Sequence, residues 1–231
     1  MKAQIIYVKG HKGSEDQSLQ ALESFQMFGW DAERIEGVTP ETLQESDFPY
    51  PDTVGSRMAD FKSQLDQANN KYYIKKSCLF NNLKFAQRVL EQDEPMAFIE
   101  HDALAIEPPD HWDFAEFLFL SYEYAFQHPT CLNKSPYREY KLRGVPGTNP
   151  FPVDYPVQYY HQSLYKGALQ TPGTAAYALT PAGAERLLEA AATNGLEQSD
   201  YIINSHNLDL QFAWPSPVKY NNENLNLSHG L

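Results

Sequence analysis

Cysteines are scarce in this sequence, and it has no long apolar run. Only Cys78 and Cys131 occur among the 231 residues, and their spacing matches neither a metal-ligand motif nor a disulfide framework. A reducing compartment is therefore expected. The apolar run near the first residue is too short for a secretory signal, and no stretch approaches the length of a membrane span. We expect a soluble, cytoplasmic protein without a membrane span.

Basic residues are also few. The chain has 18 Lys and Arg against 30 Asp and Glu, which gives a net charge of −12. Such an acidic chain does not attract nucleic acid or anionic membranes over its whole surface, because phosphate groups are held through Lys and Arg. Ten of the 18 basic residues nevertheless lie in residues 67–90, which contain no acid, and residues 133–166. This clustering favours a local anionic ligand; a solvated helix face is the alternative for the first stretch.

Internal repeats and low-complexity tracts are absent as well. With 42% hydrophobic and 21% charged residues, the composition is that of an ordinary soluble domain, and we expect a single domain over residues 1–231. Aromatic residues, in contrast, are plentiful, with 15 Tyr and 13 Phe. They indicate either an aromatic-rich core or exposed rings that stack on sugars, bases or partners.

Strands and helices alternate along the chain, which predicts an α/β fold with a mostly parallel, Rossmann-like sheet flanked by helices. Strands are expected at residues 3–8, 32–35, 95–99 and 175–179, and helices at residues 14–28, 76–92 and 184–192. Residues 112–126 are expected to form a helix followed by a strand. Residues 212–220 are expected to form an edge segment broken by proline.

Helix-end signals are clearest in the last third of the chain. Thr180 is placed to cap a helix, with Pro181 in its first turn and Gly195 closing it. Ser199 is expected to cap a further short helix carrying Asp200 and His206.

The central part of the chain is irregular. Residues 129–172 contain seven prolines and many tyrosines, and they are predicted to form a long insertion. Long irregular segments within a domain are commonly functional, and disordered segments are poor in aromatic residues. This segment is therefore predicted to be a lid or an acceptor surface. Residues 221–231 are expected to form a loosely held tail.

The tripeptide Glu100-His101-Asp102 places two carboxylates where an apolar strand meets a loop. Alternate side chains of an extended segment point the same way, so Glu100 and Asp102 are expected to face one site while His101 turns aside. Ligands of open α/β sheets bind beyond the carboxyl ends of the strands. Mg²⁺ is typically held by one or two carboxylates together with phosphate oxygens. The tripeptide therefore predicts a metal and phosphate site, with a surface turn as the alternative.

In their order along the chain, several short motifs resemble glycosyltransferase family 25, the lipooligosaccharide and collagen galactosyltransferase type of GT-A enzyme. The motifs are Ile5-Ile-Tyr-Val8, the helix at residues 77–90, Phe98-Ile-Glu-His-Asp102, Gly173-Thr-Ala-Ala-Tyr177, Gly183-Ala-Glu-Arg-Leu-Leu188 and Asp200. They correspond to an opening strand, a helix before a Glu-x-Asp motif, a Gly-Thr strand and an Ala/Leu helix. Together they span nearly the whole chain. The family's Ser-His pair is replaced here by Ser77-Cys78, and the central Tyr/Pro segment has no counterpart.

The resemblance implies a metal-dependent glycosyltransferase with a GT-A fold and a UDP-sugar donor. It divides the domain into a nucleotide-sugar-binding half at residues 1–128, a lid or acceptor segment at residues 129–172, a C-terminal part at residues 173–220 and the tail at residues 221–231. The implied cofactor is Mn²⁺ or Mg²⁺, held by Asp102 at the donor diphosphate.

The resemblance also implies where the donor binds. The nucleotide base would lie beside Tyr7, Val8 and Lys9. The diphosphate would lie near Lys75, Lys76 and the amides at the start of the helix at Ser77. Glu100 would support the metal or reach the ribose, and Gly173 and Thr174 would line the sugar pocket.

Two further residues each have a functional and a purely structural interpretation. Asp200 is the candidate base for an inverting transfer, and its alternative is a carboxylate that complements a helix dipole. His206 is a candidate metal ligand, and its alternative is an ordinary packed or exposed side chain.

The acceptor is open between a glycan, a protein hydroxyl and a hydroxymethylated base in DNA, the last disfavoured by the acidic charge. Rival functions are a glycosidase with two carboxylates and a non-catalytic carbohydrate-binding protein. The basic stretch beside the acids disfavours both.

Overall fold

The computed structural model of the protein describes residues 1–44, 47–48, 50–51, 53–63, 71–127, 139–154, 164–171 and 173–221. Strands and helices in these ranges are β1 (Lys2–Tyr7), α1 (Lys12–Met27), β2 (Asp31–Glu36), α2 (Ser56–Ser63), α3 (Lys71–Gln92), β3 (Met96–Glu100), β4 (Ala103–Ala105), β5 (Phe117–Phe119), α4 (Tyr122–Gln127), β6 (Gly147–Pro150), β7 (Ala176–Leu179), α5 (Pro181–Asn194), α6 (Ser199–Ile202), β8 (Leu210–Trp214) and β9 (Val218–Tyr220).

Seven of these strands form one sheet in the order β2-β1-β3-β7-β5-β8-β6, and β4 pairs with β9 in a separate ribbon. The prediction of an α/β fold with a helix-flanked sheet is confirmed. The sheet is mixed: β1 pairs in parallel with β2 and β3, and β5 with β8, whereas β7 runs antiparallel between β3 and β5. Strand β6 is an antiparallel edge strand beside β8.

The two faces of the sheet are covered by different helices. In β3, Ala97 and Ile99 pack in the cluster that contains Phe25 of α1, whereas Phe98 packs in the cluster that contains Phe85 of α3. This alternation follows from the period of two along a strand. Helix α3 also packs along α5, so both helices cover the same face. The described residues contain no helix that is long and apolar enough to cross a membrane.

The capping signals of α5 are confirmed. The Thr180 side chain accepts a hydrogen bond from the Gly183 amide, Pro181 occupies the first turn, and Gly195 ends the helix with a positive φ of 98°. Gly183 has a second role, because a Cβ atom there would overlap the carbonyl oxygen of Glu116. The helix therefore begins in direct contact with the backbone that precedes β5.

The order of elements in residues 112–126 was predicted wrongly, since β5 comes before α4. Residues 117–119 are completely buried between β7 and β8, which an extended apolar segment achieves and a surface helix does not. The central segment also contains β6, so residues 147–150 belong to the main sheet rather than to an insertion. Pro150 is tolerated because β6 lies at the edge.

Two further elements differ from expectation. Strand β8 lies inside the sheet, between β5 and β6, so it is not an edge strand. Helix α3 begins at Lys71, five residues earlier than predicted. The rest of the predicted lid segment, residues 129–138, 155–163 and 172, lies outside the described residues, as do residues 222–231 of the tail.

Candidate functional site

Three strands bring the predicted site together at one edge of the sheet. β1 and β3 are parallel, so their carboxyl ends lie at the same edge, and the antiparallel β7 begins there. The Glu100 amide donates a hydrogen bond of 2.8 Å to the carbonyl of Ala175, and the Asn221 amide donates one of 2.6 Å to the carbonyl of Asp102. The end of β3 is therefore held on one side by the start of β7 and on the other by the residue after β9.

Two carboxylates lie at the end of β3, as expected: Glu100 is its last residue and Asp102 follows it. Asp102 is only 5% exposed, and Glu100 is partly buried. His101 lies close enough to His11, at the start of α1, for the imidazole of His11 to help lower its pKa. Burial is the main cause of this lowered pKa, and the charge of Asp102 opposes it. The site therefore extends from the end of β3 towards the loop between β1 and α1.

Glu100 is the most strongly perturbed acid in the site. Its pKa is raised to about 8, mainly by burial and further by the neighbouring charges of Asp102 and Asp200. The positive charge of Lys75 opposes the shift. Strand β3, helix α6 and the first turns of α3 therefore place three carboxylates and one ammonium group in a shared electrostatic environment. Perturbed acids of this kind are typical of functional sites.

Asp200 is oriented by the segment that leads into β7. The Thr174 hydroxyl donates a hydrogen bond of 3.2 Å to Oδ1 of Asp200, and the Ser199 hydroxyl lies 3.5 Å from the same oxygen. Gly173 has a positive φ of 136°, and a Cβ atom there would lie 3.3 Å from the hydroxyl of Tyr220. The Gly173–Thr174 turn therefore lies between β9 and α6, where a small residue permits close approach.

Cys78 also belongs to this environment, which sequence reasoning did not anticipate. Burial raises the pKa of its thiol to about 11, Lys75 lowers it in part, and Glu100 and Asp200 raise it. The signal in the sequence was the Ser77-Cys78 pair, where the resembling family has Ser-His. Tyr177, which donates a hydrogen bond of 2.6 Å to Asn82, also has a pKa raised by burial and by the charge of Glu100.

Two residues predicted to bind the diphosphate have surroundings that differ from the expectation. Lys76 is buried, with its Nζ atom 5.1 Å from the ring centre of Tyr50 and 5.7 Å from that of Tyr72. Ser77 lies in the second turn of α3, so its amide is inside the helix. The prediction of a helix N-terminus at Ser77 is therefore wrong, and Lys75 is the cation of this stretch that acts on the carboxylates.

His206 does not lie on the helix that carries Asp200. α6 ends at Ile202, and Gln198 rather than Ser199 is its N-cap. The Asn204 side chain accepts a hydrogen bond from the His206 amide and donates one to the Tyr201 carbonyl. These bonds hold the turn that follows α6. His206 is exposed. Within the part of the chain that the structure describes, no three His, Cys, Asp or Glu side chains are arranged to hold a metal ion.

The residues predicted to lie beside the base form the loop from β1 into α1. The guanidinium of Arg34 lies 4.2 Å from the ring centre of Tyr7, and Nζ of Lys9 lies 3.0 Å from Oε2 of Glu36. The Val8 amide donates to the Ser14 hydroxyl at 2.9 Å. The loop is therefore well anchored beside the end of β3.

The carboxylates suit a divalent cation by their chemistry. The charges of Asp102 and Asp200 both act on Glu100, and Lys75 supplies one opposing positive charge. A bound cation would relieve the remaining repulsion and allow Glu100 to ionise at neutral pH. Phosphate oxygens of a ligand would complete the coordination that two carboxylates leave open.

No protein-family model matches this chain, and no curated protein matches it. The likeness to glycosyltransferase family 25 rests on the order of the motifs, and it stays a prediction.

Replacement of Glu100 by Gln should change how stability depends on pH. The folded protein binds a proton at Glu100 up to about pH 8, whereas an unfolded Glu loses it near the ordinary value of 4.5. The wild-type free energy of unfolding should therefore fall as pH rises through this window. Above pH 8, the free energy of unfolding of Glu100→Gln should exceed that of wild type by about 1–2 kcal/mol. This difference is smaller than the full pKa shift would give, because solvent screens the charges.

Urea unfolding across this pH range measures the difference. Glu189→Gln, on the exposed surface of α5, is the matched control and should keep the wild-type profile. A Glu100→Gln profile parallel to that of wild type would show that Glu100 ionises normally.

Proposed function

We propose that this protein is a metal-dependent glycosyltransferase with a sheet of the GT-A type, and that it transfers a hexose from a UDP-sugar to an acceptor hydroxyl with inversion. The observation that carries the proposal is the shared environment of Glu100, Asp102 and Asp200 beside Lys75 at the carboxyl end of β3. A diphosphate leaving group needs positive charge where the glycosidic bond breaks. A divalent cation on two of these acids, with Lys75 nearby, meets that need.

Each charged group has a separate task in the donor half of the site. Asp102 and Glu100 would hold Mn²⁺ or Mg²⁺, which supplies Lewis acidity to the diphosphate when bound. Lys75 adds a fixed positive charge on the α3 side. Glu100 must release its proton when the cation binds, so cation affinity should rise with pH. The loop at residues 7–9 lies beside this edge and offers the base a place to bind.

The acceptor half depends on Asp200. In an inverting transfer, the acceptor oxygen bonds to the anomeric carbon while the bond from that carbon to the UDP oxygen breaks. UDP leaves with the electron pair, and the acceptor proton passes to the carboxylate of Asp200. The hydrogen bond from Thr174 fixes one oxygen of Asp200, which leaves the other for the acceptor. A glycan, a protein hydroxyl or a modified nucleobase all supply such an acceptor.

Asp102→Asn should weaken metal-dependent UDP binding. The change removes a ligand charge with little change in volume, and the expected loss in UDP affinity with Mn²⁺ is about 10–100-fold. Calorimetry with UDP, with and without Mn²⁺, measures it. The control is Asp93→Asn at the other end of β3, where a positive φ of 52° suits Asn and wild-type binding is expected.

Either of two results would contradict the metal assignment. One is a wild-type UDP affinity that does not depend on Mn²⁺, and the other is an Asp102→Asn affinity for UDP with Mn²⁺ equal to that of wild type. Hydrolysis of a panel of UDP-sugars by the wild type then identifies the donor.

Asp200→Asn should separate turnover from binding. Because Asn cannot accept the proton, transfer should slow by about 10²–10⁴-fold while UDP and Mn²⁺ still bind. Single-turnover transfer measured with the identified donor gives the rate, and calorimetry gives the affinity. A loss of UDP affinity as large as the loss in rate would instead place Asp200 among the donor-binding groups.

A further inference from the structure

A cavity lies away from the carboxylates of the candidate site, on the α3 face of β1 and β2. It has a volume of about 460 Å³ and lies between the edge of the sheet and the outer side of α3. Its floor contains Gln4 and Ile6 of β1 and Ile35 of β2, and its far wall contains Lys84 and Arg88 of α3. This volume lies within the range of small-molecule sites. We call it the β1–α3 groove.

Gln4 is the reason to expect an occupant. Its side chain is only 2% exposed, and its Nε2 atom is buried without a hydrogen-bond partner among the described residues. An unpaired buried amide is costly, and buried polar groups nearly always have a partner. On β1, Gln4 is paired with Glu33 and Phe98, and its side chain lines the groove. A ligand with a hydrogen-bond acceptor in the groove would satisfy this donor.

The charges around the groove do not favour an anion. Its two basic groups are already in ion pairs, Lys84 with Asp47 at 2.8 Å and Arg88 with Glu33 at 2.7 Å. The lining also contains three carboxylates, those of Glu36, Asp47 and Glu91. A phosphate or carboxylate ligand would meet more negative than positive charge.

The lining offers donors and acceptors side by side. Carboxylates retain lone pairs after forming an ion pair, and the carboxamides of Gln4 and Gln87 supply both kinds of group. The carboxamide of Asn81 is already bonded at both ends to the backbone of Val38. Hydroxyl groups are donors and acceptors at once, so a polyhydroxylated ligand matches such a lining.

The groove is elongated. Its lining follows α3 from Asn81 to Glu91, which corresponds to about 15 Å along a helix. A chain of several units fits this length better than one compact molecule.

We propose that the β1–α3 groove binds a neutral oligosaccharide, with a ligand oxygen accepting a hydrogen bond from Nε2 of Gln4. The groove lining does not include Glu100, Asp102, Asp200 or Lys75, and its contact with the candidate site is the ion pair of Glu36 with Lys9. Binding therefore requires neither a nucleotide nor a metal, and the inference does not depend on the proposed catalytic activity.

Saccharide binding to the whole protein, in EDTA and without nucleotide, tests the proposal. The probes are neutral trisaccharides of glucose, galactose and N-acetylglucosamine, and NMR titration follows the side-chain amide signal of Gln4. At least one probe should bind saturably at millimolar concentration and shift that signal. Gln4→Leu keeps the volume but removes the amide, so affinity should fall at least about tenfold. Its melting temperature should be unchanged or higher, because a buried unpaired donor is lost.

Two further variants complete the design. Glu91→Ala changes the exposed mouth of the groove and should also weaken binding, so the test does not depend on one buried substitution. Gln26→Leu, on an exposed turn of α1, is the matched control and should bind like wild type. The proposal is overturned if none of the trisaccharides binds, if tripeptides bind in their place, or if Gln4→Leu and Glu91→Ala both bind like wild type.

Discussion

The hydrogen bond from the Glu100 amide to the Ala175 carbonyl joins the two parts of the candidate site. It holds the end of β3 against the segment before β7, and Thr174 in that segment fixes Asp200. Because β7 runs antiparallel to β3, its first residues lie where β3 ends. Asp102 and Asp200 lie 98 residues apart in sequence. Because of this pairing, both of their charges act on Glu100.

This arrangement of carboxylates lowers the free energy of unfolding. Burial and like charges disfavour ionisation of Glu100, and one lysine, Lys75, acts against them. A cluster of this kind is retained where function requires it, since a better-packed apolar edge would be more stable. A cation and a diphosphate would turn the repulsion into binding energy. The same reasoning applies to the unpaired amide of Gln4 in the β1–α3 groove.

Local signals predicted the parts of the fold that local forces decide. The apolar strands β1, β3 and β7 and the caps of α5 are visible in the sequence because period and capping chemistry act within a few residues. The order of β5 and α4, and the place of β6 in the sheet, depend on pairing with β8, which lies far along the chain. Cys78 and Lys75 could be assigned to the site only once the direction of α3 against β3 was known. In the sequence, Gln4 is an ordinary residue of a predicted strand, and nothing there indicates that its amide is buried without a partner.

The central claim is that Glu100 and Asp102, at the end of β3, bind a cation together with a nucleotide diphosphate. A ¹³C NMR titration of the Glu100 carboxyl group, in the absence and presence of Mg²⁺ and UDP, tests it most directly. Without ligands the pKa should lie near 8. With Mg²⁺ and UDP it should fall well below that value, because the bound cation favours the carboxylate. A midpoint that stays the same in both conditions would contradict the account.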